Sequence, residues 1–186
     1  MKIAVYGSGE GDVDSLALEK AREIGRVIAS RGHKLVTGGC AGIPYEAIKG
    51  AKELNGKTVG FSPGIDLKDH AERFGCPTEG FDRLVFIPSS YEHADNKLAC
   101  LKYRNLSSVL YADAAVIISG RCGTLNEFTL CYDMGKIIGV LKGTGGVTGF
   151  IPGLVKAFNK PTGARIVYEE EPRRLIEKIQ EMSKTG

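Results

Sequence analysis

Residues 114–127 read Ala114-Ala115-Val116-Ile117-Ile118-Ser119-Gly120-Arg121-Cys122-Gly123-Thr124-Leu125-Asn126-Glu127. Five consecutive apolar residues without polar alternation are the pattern of a strand covered on both faces. A glycine-bearing turn follows, and then a run that opens a helix. Strand, glycine loop and helix in that order form the repeating unit of a parallel sheet, because each parallel crossover needs a helix or a comparable segment.

The unit recurs on both sides of this stretch. Residues 2–6 are a short apolar run ending in Gly7-Ser8-Gly9-Glu10-Gly11, after which Ala17, Ala21, Ile24 and Ile28 fall at helical spacing. Residues 35–37 run into Gly38-Gly39-Cys40-Ala41-Gly42. Pro44 then suits a first helical turn, and Ala47, Ile48, Ala51 and Leu54 continue the apolar face to a cap at Gly56. Residues 58–61 and 84–87 read as strands joined by a polar connection over 62–83, and a helix over about 95–111 carries Leu98, Leu101, Val109 and Leu110. Downstream come a strand at 137–141, a glycine loop at 143–149, a short helix at 151–158 and a last strand at 165–168. Pro172 starts a terminal helix with Leu175, Ile176, Ile179 and Met182 inward. The expected fold is α/β: a single doubly wound, Rossmann-like, mostly parallel sheet with helices on both faces, one domain over residues 1–186.

Composition narrows the function classes. The 186 residues, 42% hydrophobic and 25% charged, suit a globular chain with one sizeable core and exclude a disordered or collagen-like one. The longest apolar run is 114–118, too short to span a bilayer, and no secretory leader is recognisable, so a cytoplasmic protein without a membrane partner is expected. Net charge is +3 with the basic residues scattered, so no nucleic-acid partner is expected. Cys40, Cys76, Cys100, Cys122 and Cys131 form no CxxC pair and are odd in number, which favours reduced, mostly buried thiols over a disulfide framework or a metal site. Two tempting motifs fail. Gly56-Lys57-Thr58 follows a helix rather than a strand, unlike a Walker loop, and Asp12 stands where the third glycine of a dinucleotide fingerprint belongs, which disfavours NAD. His33, His70 and His93 are isolated, and no HExxH or GxSxG is present.

Glycine is the informative excess: 25 of 186 residues, roughly twice the usual share of about 7%. In doubly wound sheets ligands sit beyond the carboxyl ends of the strands, where these glycine loops recur. Glycine lets backbone amides approach an anion, and a following helix N-terminus adds partial positive charge. Gly7, Ser8, Gly9, Gly38 and Gly39 are therefore candidate phosphate contacts. The strongest constellation is Gly120, Gly123, Thr124 and Glu127 after the buried strand, with Arg104 on the preceding helix. Its plain reading is a capping box, Thr124 taking a first-turn amide and Glu127 reaching back to the cap. Arg104 shares a face with Lys97 and Leu101, which by itself suggests a snorkelling basic side chain. Asn105 falls within the apolar arc of Leu98, Leu101 and Val109, so it is either a satisfied buried group or part of the site.

These residues resemble the Lonely Guy (LOG) family of cytokinin-activating phosphoribohydrolases and its relatives, long mislabelled as lysine decarboxylases. That family carries MxxRK on a helix and PGGxGTxxE at the next strand-to-helix junction. The matching stretches are Leu101-Lys102-Tyr103-Arg104-Asn105 and residues 119–127. The resemblance implies catalytic roles for Arg104 and Glu127 and phosphate binding at Gly120, Gly123 and Thr124. Ser119 replaces the proline, Arg121 the second glycine and Asn105 the lysine, a pattern closer to the divergent branch that includes molybdenum cofactor carrier proteins. Two readings follow. One is hydrolysis of the N-glycosidic bond of a nucleoside 5′-monophosphate, with Glu127 stabilising an oxocarbenium-like sugar and Arg104 assisting the departing base or holding phosphate. The other is a non-catalytic carrier of a nucleotide or phosphorylated pterin, in which Arg121 and Asn105 add ligand contacts. Neither requires a metal or redox cofactor. Pyridoxal-phosphate-dependent lysine decarboxylation is disfavoured, since no lysine has a recognisable Schiff-base setting. A homo-oligomer, dimer or larger, is expected through the face around Tyr103, Leu106 and Leu110, and segment 62–83 is a candidate for closing over the ligand.

Overall fold

The computed structural model describes residues 1–11 and 13–185; Asp12 of the incomplete dinucleotide fingerprint lies outside them. Among these residues the chain runs β1 (Lys2–Gly7), α1 (Ser15–Ser30), β2 (Lys34–Thr37), α2 (Ile43–Glu53), β3 (Lys57–Phe61), α3 (Leu67–Glu72) and β4 (Arg83–Val85). It continues through α4 (Lys97–Tyr111), β5 (Ala114–Ile118), α5 (Cys122–Asp133), β6 (Ile137–Leu141), a 3-10 turn (Gly146–Gly149), α6 (Ile151–Phe158), β7 (Arg165–Glu169) and α7 (Pro172–Lys184). The seven described strands form one sheet in the order β4-β3-β2-β1-β5-β6-β7. Every pairing is parallel, so the sheet is wholly rather than mostly parallel.

Strand alternation builds two cores. Ile3 and Val5 of β1 point to one face, where they meet Ile24 and Ile28 of α1, Ile48 of α2 and Leu175 and Ile179 of α7. Ala4 and Tyr6 point to the other, against Val109 of α4, Phe128 of α5 and Ile151 of α6. Every residue of β5 and β6 is buried, which is why both show as unbroken apolar runs in the sequence. Helices α1 and α2 pack closely because Gly25 and Gly50 carry no side chain. A Cβ at Gly25 would lie 2.0 Å from the Ala47 carbonyl oxygen, and one at Gly50 would lie 1.9 Å from that of Arg22.

Four local readings change. The left-handed residue ending α2 is Asn55, at φ 54°, not Gly56. The N–H groups of Asn55 and Gly56 bond back to the Lys52 and Ala51 carbonyls, as in a Schellman motif, while Gly56 is glycine because a Cβ would meet that of Ala29 at 2.5 Å. The connection 62–83 contains α3, capped by the Asp66 carboxylate accepting the Asp69 N–H at 2.7 Å. Strand β4 ends at Val85, short of Ile87. Helix α4 is turned from its expected face: Leu98 and Leu110 are 72% and 60% exposed, while Cys100, Arg104, Asn105, Ser108 and Val109 point inward. No described helix is long and apolar enough to cross a membrane.

Chain direction creates the crevice. From β1 the chain moves through α1 to β2 on one side, and from β5 through α5 to β6 on the other. The loops leaving these adjacent strands diverge and open a gap at their carboxyl ends.

Candidate functional site

Gly7 at the end of β1 pairs with Ile118 at the end of β5, so the loops that follow start side by side. Gly7 is confined from below, since a Cβ there would lie 2.4 Å from the Ile43 side chain and 2.6 Å from the Ile118 carbonyl oxygen. Above this pair lies a cleft of about 300 Å³. Gly7, Ser8 and Gly9 line it from the first loop, Arg104 and Asn105 from α4, and Arg121, Gly123, Thr124 and Glu127 from the start of α5.

Three candidates stand behind the lining rather than in it. The Gly38 carbonyl accepts a hydrogen bond from Arg104 Nη1 at 2.7 Å, and a Cβ at Gly38 would lie 1.4 Å from that nitrogen. Gly39 turns the chain at φ 68° and donates its N–H to Thr37 Oγ1 at 3.1 Å. Gly120, at φ 92°, makes room for the Thr124 side chain, which a Cβ would meet at 2.4 Å. Gly38 and Gly120 thus shape the cleft by letting Arg104 and Thr124 approach the backbone.

The solvent-facing reading of Arg104 is corrected: the residue is only 8% exposed. Its guanidinium lies over the second glycine loop, and Nε has no hydrogen-bond partner among the described residues. Burial disfavours the charge, but Cys40 and Glu127 nearby more than offset it and raise the pKa. Asn105 donates from Nδ2 to Asn126 Oδ1 at 3.0 Å, while its buried Oδ1 lacks a partner among the described residues. The two polar groups on α4 thus retain unused hydrogen-bonding capacity where the helix meets the cleft.

The capping box is not formed. Helix α5 begins at Cys122 with Arg121 as its N-cap residue, and no side chain caps it among the described residues. Thr124 and Glu127 are buried instead, and both border the cleft. Burial pushes the Glu127 carboxyl up to about 8, against the opposing pull of Arg104. Burial thus favours the neutral carboxylic acid, which can donate a proton or a hydrogen bond. Arg121 reaches across the cleft and donates from Nη2 to the Glu10 carbonyl at 2.9 Å, joining the loops after β1 and β5.

Sequence reasoning raised segment 62–83 as a candidate for closing over the ligand but singled out no cleft residue in it, nor Cys40, Ala41 or Pro44. Cys40 and Ala41 contribute from the loop after β2, Pro44 from the first turn of α2, and Phe74, Gly75 and Cys76 from the connection after α3. Glu10, Lys97 and Leu101 complete the rim. The signal in that connection was Phe74 with Cys76, two apolar residues within a polar stretch. His70 anchors them. Its Nε2 donates to the Pro77 carbonyl at 2.9 Å, which leaves Nδ1 to accept from Ser62 Oγ at 2.8 Å, and Oγ also accepts the Gly64 N–H.

Comparison with known proteins places this geometry in a lineage. An uncharacterized protein of Archaeoglobus fulgidus is 30% identical over 142 residues, covering 76% of this chain and 80% of that one. A molybdenum cofactor binding protein from Rippkaea orientalis superposes with a TM-score of 0.74 at 24% identity, over 98% of this chain and 96% of that one. The Moco carrier protein of Chlamydomonas reinhardtii superposes with a TM-score of 0.71 at 26% identity, over 100% and 98%. The LOG-like resemblance, in its divergent branch, therefore holds. With a family model matched over residues 1–176, the chain belongs to the SLOG cluster4 family.

Proposed function

We propose that this protein binds a small phosphorylated nucleotide or pterin in the cleft beyond β1 and β5 and holds it rather than turning it over. The observation that carries the reading is the buried Arg104, whose Nε lacks a partner among the described residues, beside the loop that leaves β1 at Gly7–Gly9 and the first turn of α5 at Gly123–Thr124. Amides at a helix N-terminus and a guanidinium together suit a phosphoryl group. Phe74 and Leu101 give the cleft an apolar side for a flat ring, and the unpartnered Asn105 Oδ1 suits a ring amino group. The family relationship and the structural likeness to molybdenum cofactor binding and carrier proteins support the ligand class.

Retention is favoured over hydrolysis by Arg121, which stands where the LOG motif has a glycine and spans the cleft to the Glu10 carbonyl. The Glu127 carboxyl, raised by burial to about 8, suits a hydrogen-bond donor and a general acid equally. A phosphoribohydrolase reading keeps one specific support, the joint presence of Arg104 and Glu127 in the cleft lining. Calorimetric titration with nucleoside monophosphates and a pterin monophosphate, paired with chromatography for released base, tests both. Saturable binding with no free base supports retention; base release lost in Glu127→Ala replaces it with the enzyme. Self-association is proposed through the exposed stripe of Leu106 and Leu110 on α4, and sedimentation of Leu110→Glu against the parent chain tests it.

A further inference from the structure

Two thiols stand in the same wall of the cleft, and ligand retention uses neither. Cys40 comes from the loop after β2 and Cys76 from the loop after α3, and both line the cavity. Cys76 belongs to an apolar cluster with Phe74, Ile87 and Cys100, and Cys40 packs against that cluster. Standing in one wall, the thiol of either residue can stabilise the thiolate of the other. The Arg104 guanidinium beside Cys40 selects which one ionises. The neighbouring Cys76 and this positive charge lower the Cys40 thiol below its ordinary range, while proximity to Cys40 and burial push Cys76 upward. Each remaining cysteine lacks part of this setting: Cys100 and Cys131 are buried with raised pKa values, and Cys122 is exposed at the start of α5.

We propose that Cys40 and Cys76 form a thiol–disulfide exchange pair, with Cys40 as the attacking thiolate, Cys76 as the resolving thiol and a small organic disulfide as the substrate. The Cys40 sulfur attacks one sulfur of the disulfide, breaks its S–S bond and expels one thiolate, leaving a mixed disulfide on Cys40. Cys76 then transfers its proton to a departing thiolate and attacks the Cys40 sulfur, releasing the second half of the substrate. Two protein thiols are oxidised to one disulfide as one disulfide is reduced to two thiols. The product ties the wall carrying Phe74 to the loop beneath Arg104 and removes the anionic sulfur from beside the guanidinium.

The test treats the full chain with 2-hydroxyethyl disulfide in the absence of any phosphorylated ligand, blocks free thiols by alkylation and maps the peptides by mass spectrometry. The expected result is a peptide pair joined through Cys40 and Cys76 and a mass loss of about 2 Da, both reversed by dithiothreitol. In Cys76→Ser the reaction stops at a mixed disulfide on Cys40, and in Cys40→Ser residue 76 acquires no adduct. Recovery of Cys40 and Cys76 as alkylated thiols from the treated parent chain, or adduct formation on Cys76 before Cys40, overturns the proposal. Mapping the unmutated chain answers the question even where a variant folds poorly. Because the readout is sulfur connectivity alone, its failure leaves the phosphoryl-ligand reading standing, and failure of ligand binding leaves this one standing.

Discussion

Glu127 and Gly38 show how single atoms set the character of the cleft. Glu127 has a folded-state pKa raised to about 8 from an ordinary 4.5. A raised pKa means the folded state holds the proton more tightly than the unfolded chain. Its stabilising contribution is therefore complete below about pH 4.5 and is lost as pH rises through about 8. Every tenfold difference in proton affinity between the folded and unfolded chain corresponds to about 1.4 kcal/mol. Glu127→Gln, which cannot ionise, is expected to match the parent chain in thermal stability near pH 4 and to exceed it near pH 9. A parent chain equally stable or more stable at pH 9 means that the carboxylate is welcomed in the fold. Gly38 tests the other half of the pair. A Cβ at that position would overlap Arg104 Nη1 at 1.4 Å, so Gly38→Ala must displace the guanidinium. The expected result is a loss of stability of about 1–3 kcal/mol in chemical denaturation, with phosphate-ligand affinity reduced at least about tenfold. Unchanged affinity in a folded Gly38→Ala variant means that Arg104 does not hold the ligand. Neither the burial of Arg104 nor that of Glu127 was legible in the sequence. Residue type and spacing led to both through the LOG-like motif, but the pattern around Arg104 described a surface helix, and that around Glu127 a cap.

The elements divide according to what their buried face is made of. Strands β5 and β6 were legible with their boundaries because both faces are covered and each residue must be apolar. Helices α1 and α7 were legible because their inward positions are aliphatic, Ala17, Ala21, Ile24 and Ile28 in one and Leu175, Ile176 and Ile179 in the other. Helix α4 broke the rule because Arg104, Asn105 and Ser108 occupy its inward face. Apolar periodicity then tracked Leu98 and Leu110, which point outward. The contact between α1 and α2 gives a prediction in which two physical effects have opposite signs. Alanine in place of a mid-helix glycine favours an isolated helix by about 1 kcal/mol. Here the added methyl would press within 2.0 Å of the Ala47 carbonyl oxygen from Gly25, or within 1.9 Å of the Arg22 carbonyl oxygen from Gly50. Backbone cannot yield as a flexible side chain does, so packing wins. Gly25→Ala and Gly50→Ala are each expected to lower stability by about 1–3 kcal/mol in urea unfolding. A gain in either variant means the helices separate readily and the close crossing is not required by the fold.

At the scale of the molecule, the cleft joins regions that lie far apart in the chain. A doubly wound sheet was expected from alternating strands and helices; the reversal falls between β1 and β5 and places the first loop against the start of α5. Segment 62–83 was a candidate for this wall, but Phe74 and Cys76 within it were not legible, because their placing depends on the hydrogen bonds of His70 with Ser62 and Pro77, which no local pattern announces. A ligand gripping both sides of the cleft must therefore stabilise the whole sheet, since its contacts with β1, α4, α5 and the α3 connection are lost together on unfolding. At a ligand concentration one hundred times the dissociation constant, such binding contributes about 2.7 kcal/mol. For a chain of this size that is a rise in melting temperature of about 5–10 °C. Thermal denaturation with a nucleoside monophosphate is expected to show this rise, growing with the logarithm of ligand concentration, while the corresponding nucleoside gives little. Because Lys97, Arg104 and Arg121 line the cleft as its cations, the rise is also expected to shrink as salt is added. An equal rise with the unphosphorylated nucleoside assigns the binding energy to the Phe74 and Leu101 side of the cleft and removes the phosphoryl group from the centre of the reading.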